Sequence, residues 1–338
     1  MMTNKSRNNA SPSPFSVGPE PGLLSPPLPA PQSLDLSSFA PDIATRVDIL
    51  RLDSIDDFLG GNKWFKLMPW LELARQENTK CILSFGGPHS NHLHALAAAG
   101  KRYSFHSIAY VRGGDWLEQS LSPTLQDARD NGMQLEFIGK AEYARRYDPQ
   151  WQAQLARKHA ALVIPEGGHS KQVLPSVATI GEHVSECSQA GPYDWVAVAC
   201  GTGTTLAGLA CGLRSDTQLM GFSVLKDQGS VEQAVTTLLE NQSHCADWSV
   251  NNNYHFGGYA KINRDLVRFI DRFEECTGVP LDPVYTAKMM AGLIEEIRSA
   301  AQLDSGNAPK SVLAIHTGGL QGRRAMEAKM AKMRAAAQ

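Results

Sequence analysis

The chain has no run of apolar residues suited to crossing a bilayer. Its best candidate, Trp195 to Leu213, is interrupted by Gly201-Thr202-Gly203-Thr204-Thr205, which is a turn signal. Paired cysteine spacing is also missing. Cys81, Cys187, Cys200, Cys211, Cys245 and Cys276 are scattered with no C-x-x-C, and several fall in apolar runs, as reduced thiols do. A reducing compartment, the cytoplasm, is the expectation. Charge of neither sign dominates: 32 Lys and Arg face 34 Asp and Glu, a net charge of −2, which leaves no basic footprint for nucleic acid. Residues 1 to 33 contain no apolar core of a secretory signal, and the prolines at 12, 14, 19, 21, 26, 27, 29 and 31 exclude a regular amphipathic transit helix. Met1 to Gly18 is expected to be disordered, and the Pro-rich part to Gln32 to lie as an extended arm on the folded body. No repeat with a period of about 20–50 residues is visible.

What is present reads as an ordinary globular protein, 42% apolar and 20% charged, with 338 residues that suffice for about two domains. The strand Arg46 to Leu52 leads to Gly60-Gly61-Asn62-Lys63-Trp64-Phe65-Lys66, followed by an apolar-periodic helix with Asn62 as its cap and Pro69 as a kink or restart. From Cys81 the chain alternates. Strands are predicted at 81–85, 106–111, 134–138, 161–164, 194–200, 218–224 and 311–315. Helices are predicted at 91–102, 122–131, 141–159, 171–189, 231–241, 263–276 and 287–301. This βαβα punctuation is that of an α/β protein with parallel sheets.

In such sheets ligands bind at strand-turn-helix junctions, and four junctions carry unusual residues. Gly86-Gly87-Pro88-His89-Ser90-Asn91-His92 reads either as a glycine turn with Ser90 or Asn91 as cap, or as a site. No carboxylate or thiolate joins His89, His92 and His94, and His92 and His94 cannot share a helical face, so no metal is expected. Gly201-Thr202-Gly203-Thr204-Thr205 sits between a strand and a helix, where backbone N–H groups and hydroxyls suit a phosphate. It has no Walker lysine, and Leu206 stands at the third Rossmann glycine position, which leaves a phosphate without a dinucleotide. Asp282-Pro283-Val284-Tyr285-Thr286 opens a helix, and His316-Thr317-Gly318-Gly319 ends the last apolar strand. Lys63 in a first helical turn is either a solvated surface lysine or an amine held for attack on an aldehyde. Lys66 lies one turn on, where a second cation disfavours protonation of Lys63. A lysine, a phosphate cradle and hydroxyls at strand ends are the parts of a pyridoxal phosphate site.

These five motifs, in this order, resemble the D-cysteine desulfhydrase and aminocyclopropane-carboxylate deaminase family, fold-type-II pyridoxal phosphate enzymes of the tryptophan synthase β superfamily. The resemblance runs from about Pro27 to the C-terminus. It implies two unequal α/β domains, each with a mostly parallel twisted sheet flanked by helices, with the cofactor in the cleft between them and a homodimer as the usual assembly. Residues 19–65 and 166–338 would form the large domain and 66–165 the small one, after a tail at 1–18. By resemblance, Lys63 is the lysine that carries the cofactor and Asn91 the partner of the pyridine 3-oxygen. Ser90 is the serine beside the substrate carboxylate and reacting carbon, and Tyr285 the tyrosine near the substrate. Gly201, Thr202, Gly203, Thr204 and Thr205 are the phosphate loop with Lys66 as a further phosphate partner, and Thr317 is the group at the pyridine nitrogen.

The resemblance implies a lyase or deaminase of a small amino acid. The expectation is α,β-elimination from D-cysteine or a relative to pyruvate, ammonia and sulfide. The alternatives are cyclopropane ring opening, or cofactor binding without turnover. The deaminase branch carries a glutamate after the tyrosine, whereas Thr286 and Thr317 here match the desulfhydrase branch. Trp64-Phe65 stands where the family has a smaller residue and Arg, and His89 where Gln is common. Both departures are expected to reshape the pocket.

Overall fold

The computed structural model describes residues 26–114, 120–187, 191–226, 229–243, 245–303 and 308–335. The expected tail, Met1 to Gly18, lies outside them. Two sheets organise the chain. One is six-stranded, in the order β1 (Gln32–Ser33), β2 (Arg46–Arg51), β10 (Ser311–His316), β7 (Trp195–Cys200), β8 (Gln218–Ser223) and β9 (Trp248–Asn251). The other is four-stranded, in the order β5 (Gln134–Ile138), β4 (His106–Arg112), β3 (Cys81–Gly86) and β6 (Ala161–Val163). Every pairing is parallel except β1 with β2. The described part of the Pro-rich arm lies on the body: β1 adds to the sheet edge, and the Pro29 carbonyl accepts from His183 at 2.9 Å.

Strand periodicity assigns each sheet face to its own core. In β7, Val196, Val198 and Cys200 face a central core shared with the helices α1 (Asn62–Gln76), α2 (Asn91–Tyr103), α6 (Leu174–Cys187) and α7 (Thr204–Gly212). Ala197 and Ala199 face the opposite way, toward α9 (Arg264–Thr277), α10 (Thr286–Leu303) and α11 (Leu320–Ala335). In β3, Ile82 joins the central core, whereas Cys81, Leu83 and Phe85 pack on Trp151 and Leu155 of α5 (Pro149–His159). The central core thus runs without a break from one sheet to the other.

Several local expectations are corrected. Pro69 does not restart the helix: α1 runs through it from Asn62 to Gln76. Proline removes one backbone donor, but Trp64, Phe65, Leu67, Trp70, Leu71 and Ala74 bury the helix on both sides of it. Asn62 is the first helical residue and not the cap, a place Gly61 takes with φ 79°. The stretch 141–159 divides into α4 (Lys140–Ala144) and α5 because Asp148 caps a new helix through the N–H groups of Gln150 and Trp151, with Pro149 at its first position. Lys171–Val173 is a 3-10 turn before α6. Neither β9 nor α11 was expected.

Candidate active site

A cavity of about 560 Å³ opens at the carboxyl ends of the strands of both sheets, the position and size of a ligand pocket. The site is organised where the two ends of the fold meet. The Asn62 N–H donates to the Thr317 carbonyl at 3.1 Å. Gly61 has φ 79°, and a Cβ there would lie 2.3 Å from that same oxygen, so only glycine fits. The approach places Lys63 on the cavity wall. Lys63 Nζ donates to Asn62 Oδ1 at 2.9 Å, and Asn62 Nδ2 donates to Thr205 Oγ1 at 2.8 Å. The side chain expected to cap α1 therefore links Lys63 to the turn between β7 and α7. Burial pushes the Lys63 ammonium down to about 8, against the attraction of Asp282. Lys66, only 3% exposed, is held well below an ordinary lysine by burial and by Lys63. Burial, then, rather than Lys66, is what lowers the Lys63 ammonium.

Gly201, Thr202, Gly203 and Thr205 line the cavity between β7 and α7. Thr204 does not: its hydroxyl is turned to His169 Nδ1 at 3.0 Å and Thr202 Oγ1 at 3.1 Å, so its backbone is what it presents to the turn. Gly203 has φ 74°, and its Cβ would stand 2.7 Å from Val235 Cγ2. Across the cleft, Ser90 both lines the cavity and caps α2, its Oγ accepting from the Leu93 N–H at 3.3 Å. Asn91 Oδ1 is buried with no partner. The amide lies against Gly319 and Gly322, where a Cβ would come within 3.1 Å and 3.0 Å of it. The three histidines diverge: His89 and His92 both line the cavity, His92 with its ring bonded to Ser84 at 2.8 Å, and His94 meets Asp127 at 3.2 Å.

Tyr285 lines the cavity edge-on to Tyr259, with ring centroids 6.0 Å apart, and burial pushes its hydroxyl well up. Asp282 anchors the start of α10 by accepting from the N–H groups of Val284, Tyr285 and Thr286. Thr286 is fully buried off the wall, its hydroxyl bonded to the Asp282 backbone, whereas Thr317 is on the wall. Trp64 and Phe65 point into the central core, Trp64 lying under Arg102 at 5.4 Å, so they do not reshape the pocket as expected. His89 does reach it. Sequence reasoning missed Arg112, Arg146, Glu166 and Tyr259, all on the wall. Glu166-Gly167-Gly168 follows β6 and is a strand-end glycine turn of the kind that betrayed the other junctions. Tyr259 likewise follows a glycine pair, Gly257-Gly258, both at positive φ, whereas Arg112 and Arg146 are single residues with no local signal.

The cavity offers a half-buried lysine turned from water, N–H groups and hydroxyls at a helix N-terminus beside a buried second lysine, and an unpartnered amide oxygen. That donor set fits a phosphate-bearing aldehyde cofactor. Fold and site together define an α/β cofactor enzyme.

The model of the pyridoxal-phosphate dependent enzyme family matches residues 34–318, and the chain belongs to that family. Its cofactor is pyridoxal 5′-phosphate. A putative 1-aminocyclopropane-1-carboxylate deaminase of Pyrococcus horikoshii is 28% identical over 85% of this chain and 88% of its own. A D-cysteine desulfhydrase of Klebsiella pneumoniae is 29% identical over 86% of this chain and 92% of its own. Among solved structures, an ACC deaminase homologue superposes with a TM-score of 0.73 at 25% identity, covering 91% of this chain and 94% of that one.

Proposed function

We propose that the protein eliminates a β-substituent from D-cysteine or a related small amino acid, giving pyruvate, ammonia and sulfide. Lys63 would carry the cofactor. Lys66 and the loop Gly201, Thr202, Gly203, Thr204 and Thr205 would hold its phosphate, Thr204 acting by backbone alone. Asn91 would meet the ring 3-oxygen and Thr317 the ring nitrogen. When bound, pyridoxal phosphate supplies an electron sink for negative charge at the substrate Cα. Lys63 Nζ, poised by burial, takes the Cα proton. Ser90 and the N-terminus of α2 orient the substrate carboxylate. Tyr285 flanks the reacting carbon.

The observation that carries elimination over ring opening is the state of the wall carboxylate. Among the described residues lining the cavity, only Glu166 is acidic. It is engaged by Arg146 at 2.6 Å and by the hydroxyls of Tyr143 at 2.7 Å and Tyr147 at 3.2 Å. A hydroxyl at Thr317 with no free acid beside it gives a weaker electron sink, suited to a group that leaves readily as thiolate does. Ring opening of 1-aminocyclopropane-1-carboxylate is the second reading, favoured by the names of two relatives. Steady-state rates on D-cysteine, β-chloro-D-alanine and the cyclopropane test the choice. Pyruvate release from the first two is expected to dominate, and faster 2-oxobutyrate release from the third would reverse it.

The reading also takes the six-stranded sheet with its helices (residues 19–65 and 166–338) as a large domain and 66–165 as a small one. A cytoplasmic homodimer goes with it, supported by the scattered cysteines and by the family resemblance. Sedimentation of the purified protein checks the dimer.

A further inference from the structure

We infer that Arg112 recognises a second anionic group, a carboxylate, sulfonate or phosphate on the substrate side chain. The inference rests on the elimination reading and narrows its substrate class. Arg112 ends β4 and lines the cavity above the loop that precedes α2: a Cβ at Gly87 would lie 3.6 Å from Arg112 Nη2. Its guanidinium stands 5.8 Å from the Tyr143 ring centroid and, among the described residues, has no carboxylate within ion-pairing distance. Its neighbour differs. Arg146 also lines the cavity, but Glu166 takes its charge at 2.6 Å.

The other cations of the cavity have work that accounts for them. Lys63 is the reactive amine, and Lys66 lies buried near the phosphate loop. The carboxylate that every amino acid carries has the N-terminus of α2, with Ser90 as its cap. Among the described residues, one positive charge at the mouth, that of Arg112, is left without an ion-pair partner. A planar guanidinium matches carboxylate, sulfonate and phosphate oxygens, and a neutral side chain would leave it unanswered. In the reaction the Cα proton passes to Lys63 Nζ and the Cβ–S bond breaks with its electron pair on sulfur. The anionic thiolate departs, and aminoacrylate adds water to give pyruvate and ammonium.

The test uses the holoenzyme with S-carboxymethyl-D-cysteine and its neutral shape analogue S-isobutyl-D-cysteine, both of which release alkyl thiolates. Wild type is expected to favour the carboxymethyl compound in kcat/KM by about tenfold or more, as one charge-assisted hydrogen bond gives. Arg112→Met should collapse that ratio and Arg112→Lys should restore part of it. A wild-type ratio near one, or a ratio that survives Arg112→Met because both substrates weaken equally, overturns the assignment. Affinities of the same two compounds, read from the change in cofactor absorption, need no turnover. A preference for the anion in binding without pyruvate formation supports Arg112 and sinks elimination. Turnover of D-cysteine without any preference sinks Arg112 alone.

Discussion

Lys63 is a lysine made unlike other lysines by where its helix begins. Its amine is held by Asn62, desolvated, and depressed to about 8, so it is half neutral near that pH where an exposed lysine is almost wholly protonated. Only the neutral amine attacks an aldehyde. The rate at which cofactor-free protein captures pyridoxal phosphate should therefore rise from pH 7 and level off above about 8, read as the growth of the bound-cofactor absorption. A rate still climbing about tenfold per unit between pH 8 and 10 would mean an ordinary lysine. Borohydride reduction followed by peptide mapping should find the label on Lys63, and Lys63→Ala should abolish turnover. Label on another lysine removes the central assignment. Lys63, Lys66, Ser90 and Asn91 were legible because each sits in a run of residues whose chemistry agrees. Arg112 and Arg146 were not, since each is one side chain brought to the wall from a stretch that looks ordinary.

At the scale of the element, the turn between β7 and α7 is tuned by Gly203. Its positive φ and the closeness of Val235 and the Val231 carbonyl, 2.7 and 3.3 Å from a would-be Cβ, leave no room for a side chain. Gly203→Val should push the loop out of register with the phosphate. Each charge-assisted hydrogen bond lost is worth about 1.5–3 kcal/mol, or roughly one to two decades of cofactor affinity, measured by titrating cofactor-free protein. An unchanged affinity would reduce the loop to packing. Strands and most helices were readable from period and punctuation. The failures have particular causes. Pro69 was overruled by the burial of α1 around it, and the Asp148-Pro149 cap pair that splits 141–159 was present in the sequence but unused.

For the whole molecule, the alternation of strands and helices announced parallel sheets, but not that β10 would slip between β2 and β7 from the far end of the chain. That insertion is what brings Thr317 to Asn62 and so makes the site. The two sheets meet through more than the cavity. The central core holds Ile82, Leu93 and Val111 from the four-stranded side together with Val196, Val198 and Leu313 from the six-stranded side. The proposed cofactor contacts also come from both, Asn91 on one side and Gly201, Thr205 and Thr317 on the other. Binding should therefore add stability to a unit that is already cooperative. At a free cofactor concentration about a hundredfold above its Kd the gain is about 2.7 kcal/mol. Stripping pyridoxal phosphate with hydroxylamine should lower the calorimetric Tm yet leave one transition. Amide exchange in β3 and β4 should collapse together with that in β7 and β10. If residues 81–163 instead melt first and alone, the shared core does not couple the sheets, and the cofactor itself is the link between them.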